Sequence, residues 1–118
     1  APIRPGEAVI SGAYNLPNKY IIHALGPVYG MDKPENILLA DCYRNAILLG
    51  EENEIDSVAF PAISTGAFGY PFEAATDIAL QTIIELAPAL NHIKLIRFVL
   101  FGEIDYEIYV ERMRNIKE

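Results

Sequence analysis

The feature that most constrains this chain is an apolar run, Ser57–Ile63 (SVAFPAI), that passes directly into a glycine-rich turn, Ser64–Tyr70 (STGAFGY), and then into a helical pattern opening at Pro71. Val, Phe and Ile in a short segment bounded by turn residues read as a β-strand. Because Val58 to Ile63 is apolar at nearly every position, the pattern predicts a central strand covered on both faces. Pro61 cannot donate to a ladder, so it belongs near the C-terminal end of that strand, at a bulge or where pairing stops.

Three further apolar runs read as strands: Glu7–Gly12, Tyr20–Leu25 and Lys94–Phe101. The first two are separated by Ala13–Lys19, which carries Asn15, Pro17 and Asn18. A link this short and this rich in turn formers suits an antiparallel hairpin. A first helix is predicted from about Lys33 to Leu49. Asp32 and Glu35 form a D-x-x-E capping pair, Pro34 falls in the first turn, and Gly50 marks the end. Its inward face is Leu39, Tyr43, Ala46 and Leu49. A second helix runs from Pro71 to before Pro88, with Ala75, Ile78, Ala79, Thr82, Ile83 and Leu86 on the buried side. A third begins after Asp105, capped by Glu103 and Asp105, with Tyr106, Tyr109, Val110 and Met113 on one face. From Ser57 onward, strands alternate with helices. The expected class is therefore α/β, with a mixed, partly parallel sheet flanked by helices in a single domain spanning residues 1–118.

Composition narrows what such a domain can bind. The 118 residues are 52% apolar and 21% charged, an ordinary globular balance. The formal charge of −7 argues against a duplex nucleic acid as partner, since phosphate recognition there needs clustered Lys and Arg. An anionic ligand would have to be held by backbone N–H groups and helix N-termini. Cys42 is the only cysteine. It allows no intramolecular disulfide and fits a reducing, cytoplasmic setting. No apolar run approaches the ~20 residues of a membrane span.

The turn itself carries the strongest chemical signal. Gly66 and Gly69 permit positive φ and close backbone approach, and successive N–H groups can form an anion nest ahead of the helix that Pro71 opens. The plainer alternative is a strand-to-helix loop whose glycines serve only to turn. Phe101 closes the last run. A right-handed crossover would bring it beside the turn, poised to stack on a base, although taken by itself a core aromatic is the more natural reading. The other candidates point away from chemistry. His23 reads as a satisfied core histidine and His92 as a solvated loop residue. Cys42 reads as a small buried hydrophobe, and Glu51, Glu52 and Glu54 as a solvated acidic loop. Ser64 has no evident base to make it a nucleophile. No H-x-x-x-H or C-x-x-C spacing suggests zinc.

Three segments taken in order, GEAVISGAYNLPNKYIIHALGPVYG, FPAISTGAFGYP and FVLFGEIDYEIYVERM, resemble the macrodomain family over essentially the whole chain. The likeness is most specific in STGAFGYP. The resemblance implies ADP-ribose binding above a mixed sheet, with Ser64, Thr65, Gly66, Ala67, Phe68, Gly69 and Tyr70 wrapping the diphosphate and distal ribose. It implies that Phe68 orients that ribose and that Phe101 packs on the adenosine side. In the family's hydrolase branch, ADP-ribose is removed from acidic side chains or O-acetyl-ADP-ribose is deacetylated. The expected ligands are thus ADP-ribose, O-acetyl-ADP-ribose or a mono-ADP-ribosylated protein, with no metal or cofactor required. The alternative is a non-catalytic module that only reads the nucleotide. The resemblance also implies a preceding segment of roughly 50–60 residues, judged against usual domain lengths. That segment carries the first strands and the catalytic Asn and Asp. Nothing in residues 1–118 matches it, so the chain corresponds to the C-terminal two-thirds of the family pattern, with no catalytic residue assigned. An uncovered sheet edge and self-association follow as expectations.

Overall fold

The structure is a computed structural model that describes residues 3–12 and 20–117. It contains β1 (Ala8–Gly12), β2 (Tyr20–Ala24), α1 (Glu35–Glu52), β3 (Ser57–Phe60), α2 (Phe72–Leu86), a short 3-10 turn (Ala87–Ala89), β4 (Leu95–Phe98) and α3 (Glu103–Lys117). The α/β class is as expected, with both antiparallel and parallel pairing. β1 pairs antiparallel with β2, Ala8 facing Ala24 and Val9 facing His23. Gly6 and Leu25 extend that ladder, Gly6 N–H donating to Leu25 O at 2.7 Å. The expected turn at Ala13–Lys19 lies outside the described residues. β3 pairs parallel with β4, Ser57 facing Leu95 and Phe60 facing Phe98, so both strands end at the same edge.

The strand pairs form two separate two-stranded sheets. Both lean on the same flank of α1. A Cβ placed at Gly50 would lie 3.5 Å from Val58 Cγ2 of β3 and 3.8 Å from Ile22 Cδ1 of β2. The expectation of a central strand covered on both faces fails for β3. Among the described residues it pairs only with β4, and Ser57 and Ala59 are exposed while Phe60 is buried. Pro61 lies just past the strand, as its missing N–H requires.

α1 supplies the centre of the core. Leu39, Tyr43, Ala46 and Ile47 are buried along it and pack with Phe60, Tyr70, Ala75, Ala79 and Ile93. Full burial of a Leu or Ile side chain contributes ~1.5–3 kcal/mol, so Leu39 and Ile47, both 0% exposed, anchor the helix. Its predicted cap does not form. Asp32 Oδ2 accepts from Val28 N–H at 2.8 Å and Glu35 Oε2 from Gly30 N–H at 3.0 Å. Both carboxylates therefore serve the preceding turn, and extended Pro34 occupies the N-cap with no side-chain hydrogen bond. Gly50 does not end the helix either. α1 continues to Glu52, and Gly50 instead admits Ile93, whose Cδ1 would sit 3.3 Å from a Cβ there.

α2 buries Ala75, Thr76, Ala79, Leu80 and Thr82. α3 starts earlier than predicted, so Glu103 and Asp105 lie within its first turn rather than ahead of it. Tyr109 is its buried anchor, whereas Tyr106 and Met113 are exposed. The predicted stripe is narrower because Arg112, bonded to Glu73 Oε2 at 2.8 Å and Asp77 Oδ2 at 3.2 Å, holds α3 to α2 by polar contacts. No helix among the described residues is long and apolar enough to cross a membrane.

Glu51 departs from the solvated acidic loop expected of it. Its carboxylate accepts from Asn91 N–H at 2.6 Å, His92 N–H at 3.0 Å and Ile93 N–H at 3.0 Å, closing the turn that leads into β4. Partial desolvation would raise its pKa, but these three donors outweigh that effect and hold it below the ordinary carboxylate value. A depressed folded-state pKa stabilises the fold above the unfolded carboxylate pKa, and that contribution is lost as the pH falls through the folded value. Wild type is therefore expected to lose Tm more steeply than Glu51→Gln between roughly pH 6 and pH 3. Superimposable Tm–pH curves would contradict this role.

Candidate functional site

The segment between β3 and α2 lies at the edge where the parallel pair ends. It is built by a chain of local bonds. Thr65 donates to Ala62 O through both N–H (3.4 Å) and Oγ1 (2.8 Å), forming the first bend. Gly69 N–H donates to Gly66 O at 3.0 Å, and Tyr70 N–H donates to Ser64 O at 2.8 Å, which closes the neck of the loop. Tyr70, 5% exposed, plugs the loop into the core. Burial raises its phenol pKa, with Glu35 and Tyr29 adding to the effect.

Two residues of the loop hold left-handed backbone, Gly69 (φ +76°) and Ser64 (φ +67°). Gly69 is expected there. Gly66 is not among the positive-φ glycines, so the expectation that both glycines serve that purpose is half right. What Gly66 provides is room, since a Cβ built on it meets nothing within 4 Å. Ser64 is the unexpected member. A non-glycine residue at positive φ is uncommon, and its Oγ is buried with no hydrogen-bond partner among the described residues. A buried hydroxyl without a partner is costly and rare. Among the described residues no hydrogen bond joins Ser64 Oγ to a base.

The arc between the two left-handed residues faces outward. The N–H groups of Gly66, Ala67 and Phe68 donate to no acceptor among the described residues, and Gly66 and Ala67 are exposed. Three consecutive unused donors ahead of a helix N-terminus make an electropositive patch of backbone alone. No Lys or Arg lies within residues 61–72.

A second loop, absent from the sequence reading as a site element, supports this one. Tyr29 N–H donates to Phe68 O at 2.9 Å, and the Tyr29 ring meets the Tyr70 ring edge-on at a centroid distance of 4.9 Å. Gly26 lets its own backbone lie against the side chains of Ser64 and Ile63. A Cβ there would lie 2.1 Å from Ser64 Oγ and 2.5 Å from Ile63 Cγ2. The signal was present as G-P-V-Y-G at Gly26–Gly30, two glycines bracketing a proline straight after a strand.

Phe101 is placed at the same edge, three residues beyond the end of β4, and is 96% exposed. It does not close the strand, which ends at Phe98, and the core-aromatic reading does not hold. Phe98 takes that place instead, stacked within 4.8 Å of Tyr109 and 6.1 Å of Phe60. The structure thus brings Ser64–Tyr70 together as one loop and leaves Phe101 free at its edge. His23 is exposed on β2 rather than in the core, because the hairpin's outer face carries it beside Val9. Burial pushes the Cys42 thiol up to about 12, which keeps it protonated and unreactive. Among the described residues no group of three or more His, Cys, Asp or Glu is placed to hold a metal ion.

Fold and loop together define an α/β domain with an open backbone nest at the C-terminal edge of a parallel strand pair. The Macro domain family model matches residues 1–79, and the chain belongs to that family. It is 44% identical over 106 residues to an O-acetyl-ADP-ribose deacetylase of Klebsiella pneumoniae, covering 89% of this chain and 61% of that protein. It is 45% identical over 116 residues to the human ADP-ribose glycohydrolase MACROD2, covering 93% and 27%. It superposes on the Oceanobacillus iheyensis macrodomain solved with ADP at a TM-score of 0.89 and 42% identity, covering 97% of this chain and 60% of that one. The chain therefore spans about three fifths of the length of these bacterial relatives.

Proposed function

We propose that this chain binds ADP-ribose through Ser64–Tyr70. The reading rests on the three unused N–H donors of Gly66, Ala67 and Phe68, which suit a diphosphate in a protein with a net charge of −7. Backbone donors bind phosphate oxygens without a cationic side chain. Phe68, half-buried in the loop, is assigned to the distal ribose, and exposed Phe101 to the adenine end. The loop is in this sense a phosphate-binding loop, and a reducing cytoplasmic setting fits the single buried thiol.

The proposal extends to hydrolysis of ADP-ribosyl or O-acetyl-ADP-ribose esters in a form that also carries the groups the family resemblance places before Gly6. There the bound diphosphate would fix the distal ribose and a water against the ester. Within Ser64–Tyr70 no side chain serves as a general base, which favours reading these residues as the binding half of the site. Release of ADP-ribose from a mono-ADP-ribosylated protein separates a hydrolase from a module that only reads the nucleotide.

Phe101 tests the placement of the ligand. Stacking of an aromatic on a base contributes ~1–3 kcal/mol in comparable single-strand nucleic-acid sites. Phe101→Ala is therefore expected to weaken ADP-ribose binding ~5–100-fold while leaving ribose 5-phosphate binding and Tm unchanged. Equal losses for both ligands would remove Phe101 from the adenine end.

A further inference from the structure

The loop's geometry depends on a group beneath it. Tyr43 lies in the middle of α1 and is 1% exposed. Its ring packs against Phe60 and Phe98, the last residues of β3 and β4, at centroid distances of 5.2 and 6.2 Å. Its hydroxyl passes beyond that aromatic layer and accepts from Ile63 N–H at 3.2 Å. Ile63 immediately precedes strained Ser64, so this bond fixes the point where the loop leaves the sheet edge. Of the core residues, Tyr43 is the one whose polar atom bonds the backbone of the segment leading into the loop.

We propose that Tyr43 is a positioning residue: its hydroxyl holds Ile63 N–H and thereby keeps Ser64–Tyr70 in the shape that presents the Gly66, Ala67 and Phe68 donors. The proposal rests on the ADP-ribose reading of that loop. Without the hydroxyl the loop still closes at its neck through Tyr70 N–H and Ser64 O, but its root swings free and a part-buried N–H is left unpaired. A ligand that needs the loop ordered then binds more weakly, by the fraction of molecules holding the ordered form.

Tyr43→Phe removes one oxygen and keeps the ring that packs on Phe60 and Phe98. Ile47→Val, one helical turn further along α1, is the matched control, because it loosens the core without touching Ile63. Amide hydrogen exchange is measured on the free protein, and ADP-ribose affinity by calorimetry. Tyr43→Phe is expected to speed exchange at residues 63–70 and to weaken ADP-ribose, each ~10-fold, the size of one hydrogen bond lost. Exchange in the middle of α1 should stay as in wild type. Ile47→Val should lower Tm while leaving loop exchange and affinity unchanged. Wild-type loop exchange in Tyr43→Phe, or faster exchange spread evenly over the whole chain, would overturn the proposal. If wild type itself fails to bind ADP-ribose, the functional reading falls, and the exchange comparison alone decides the role of Tyr43.

Discussion

Gly26→Ala is expected to abolish ADP-ribose binding, although Gly26 belongs to neither the strand nor the loop that holds the proposed donors. An added Cβ would lie 2.1 Å from Ser64 Oγ and 2.5 Å from Ile63 Cγ2, so Ser64 or Ile63 must move. Ile63 is held through its N–H by Tyr43, and Ser64 already sits at φ +67° with its hydroxyl buried. Relief must come from turning these side chains inside a buried contact or from shifting the root of the loop. Gly69→Val acts at the other end by placing a β-branched residue at φ +76°, a genuine backbone outlier. Each change is expected to weaken ADP-ribose on the order of 100-fold or more, about 2.7 kcal/mol. Gly66→Val separates strain from space. Its position needs no left-handed backbone and has nothing within 4 Å, so Tm should hold while the isopropyl group fills the ligand's place. Unchanged affinity in folded Gly26→Ala and Gly69→Val would take this loop out of the site.

The second large effect concerns the state of the 118-residue chain in solution. β2 and β3 lean on the same flank of α1, yet among the described residues neither pairs with the other. Each therefore presents an edge of unpaired backbone groups, and such an edge is a template for a strand from another molecule. The outward face of the parallel pair adds apolar area, with Leu95 44% and Val99 55% exposed. Self-association by strand addition is the expected result, seen as light-scattering masses of twice the chain or more that rise with concentration. Ala59→Lys, on the exposed face of β3, should shift that equilibrium towards monomer, because a charged residue on an edge strand opposes pairing. A single monomer mass at all concentrations would show that these edges are blunted in a way their geometry does not reveal.

Element type was legible in the sequence wherever a local signal had no competitor. Pro61 narrowed the end of β3 to a bulge or a stop in pairing, and the strand stops at Phe60, while the helical spacing of Leu39, Tyr43 and Ala46 located the core face of α1. Signals with two outlets misled. Asp32 and Glu35 have the spacing of a capping pair, but Val28 and Gly30 N–H groups lie closer to their carboxylates and took them. Gly50 looks like a helix stop, yet packing against Ile93 and Val58 requires a glycine within the helix. Phe98 and Phe101 are alike as letters, and only the register of β4 on β3 decides which is core and which is free. The loop itself was readable from its glycines and its place after a strand. The parts that shape it come from segments remote in sequence: Gly26 and Tyr29 leave a local mark in G-P-V-Y-G but none that ties them to this loop, and Tyr43 reads only as a core position of α1. Ser64 at positive φ could not be foreseen, since nothing in serine favours that conformation.

The proposed site holds the diphosphate of ADP-ribose on the N–H groups of Gly66, Ala67 and Phe68. Calorimetric titration of the wild-type protein with ADP-ribose, and in parallel with adenosine, tests it most directly, because the two ligands share the base and differ in the diphosphate and distal ribose. Saturable one-to-one binding of ADP-ribose, with adenosine weaker by at least ~100-fold, is the predicted result. Equal affinity for the two, or no saturable heat with ADP-ribose, would contradict it.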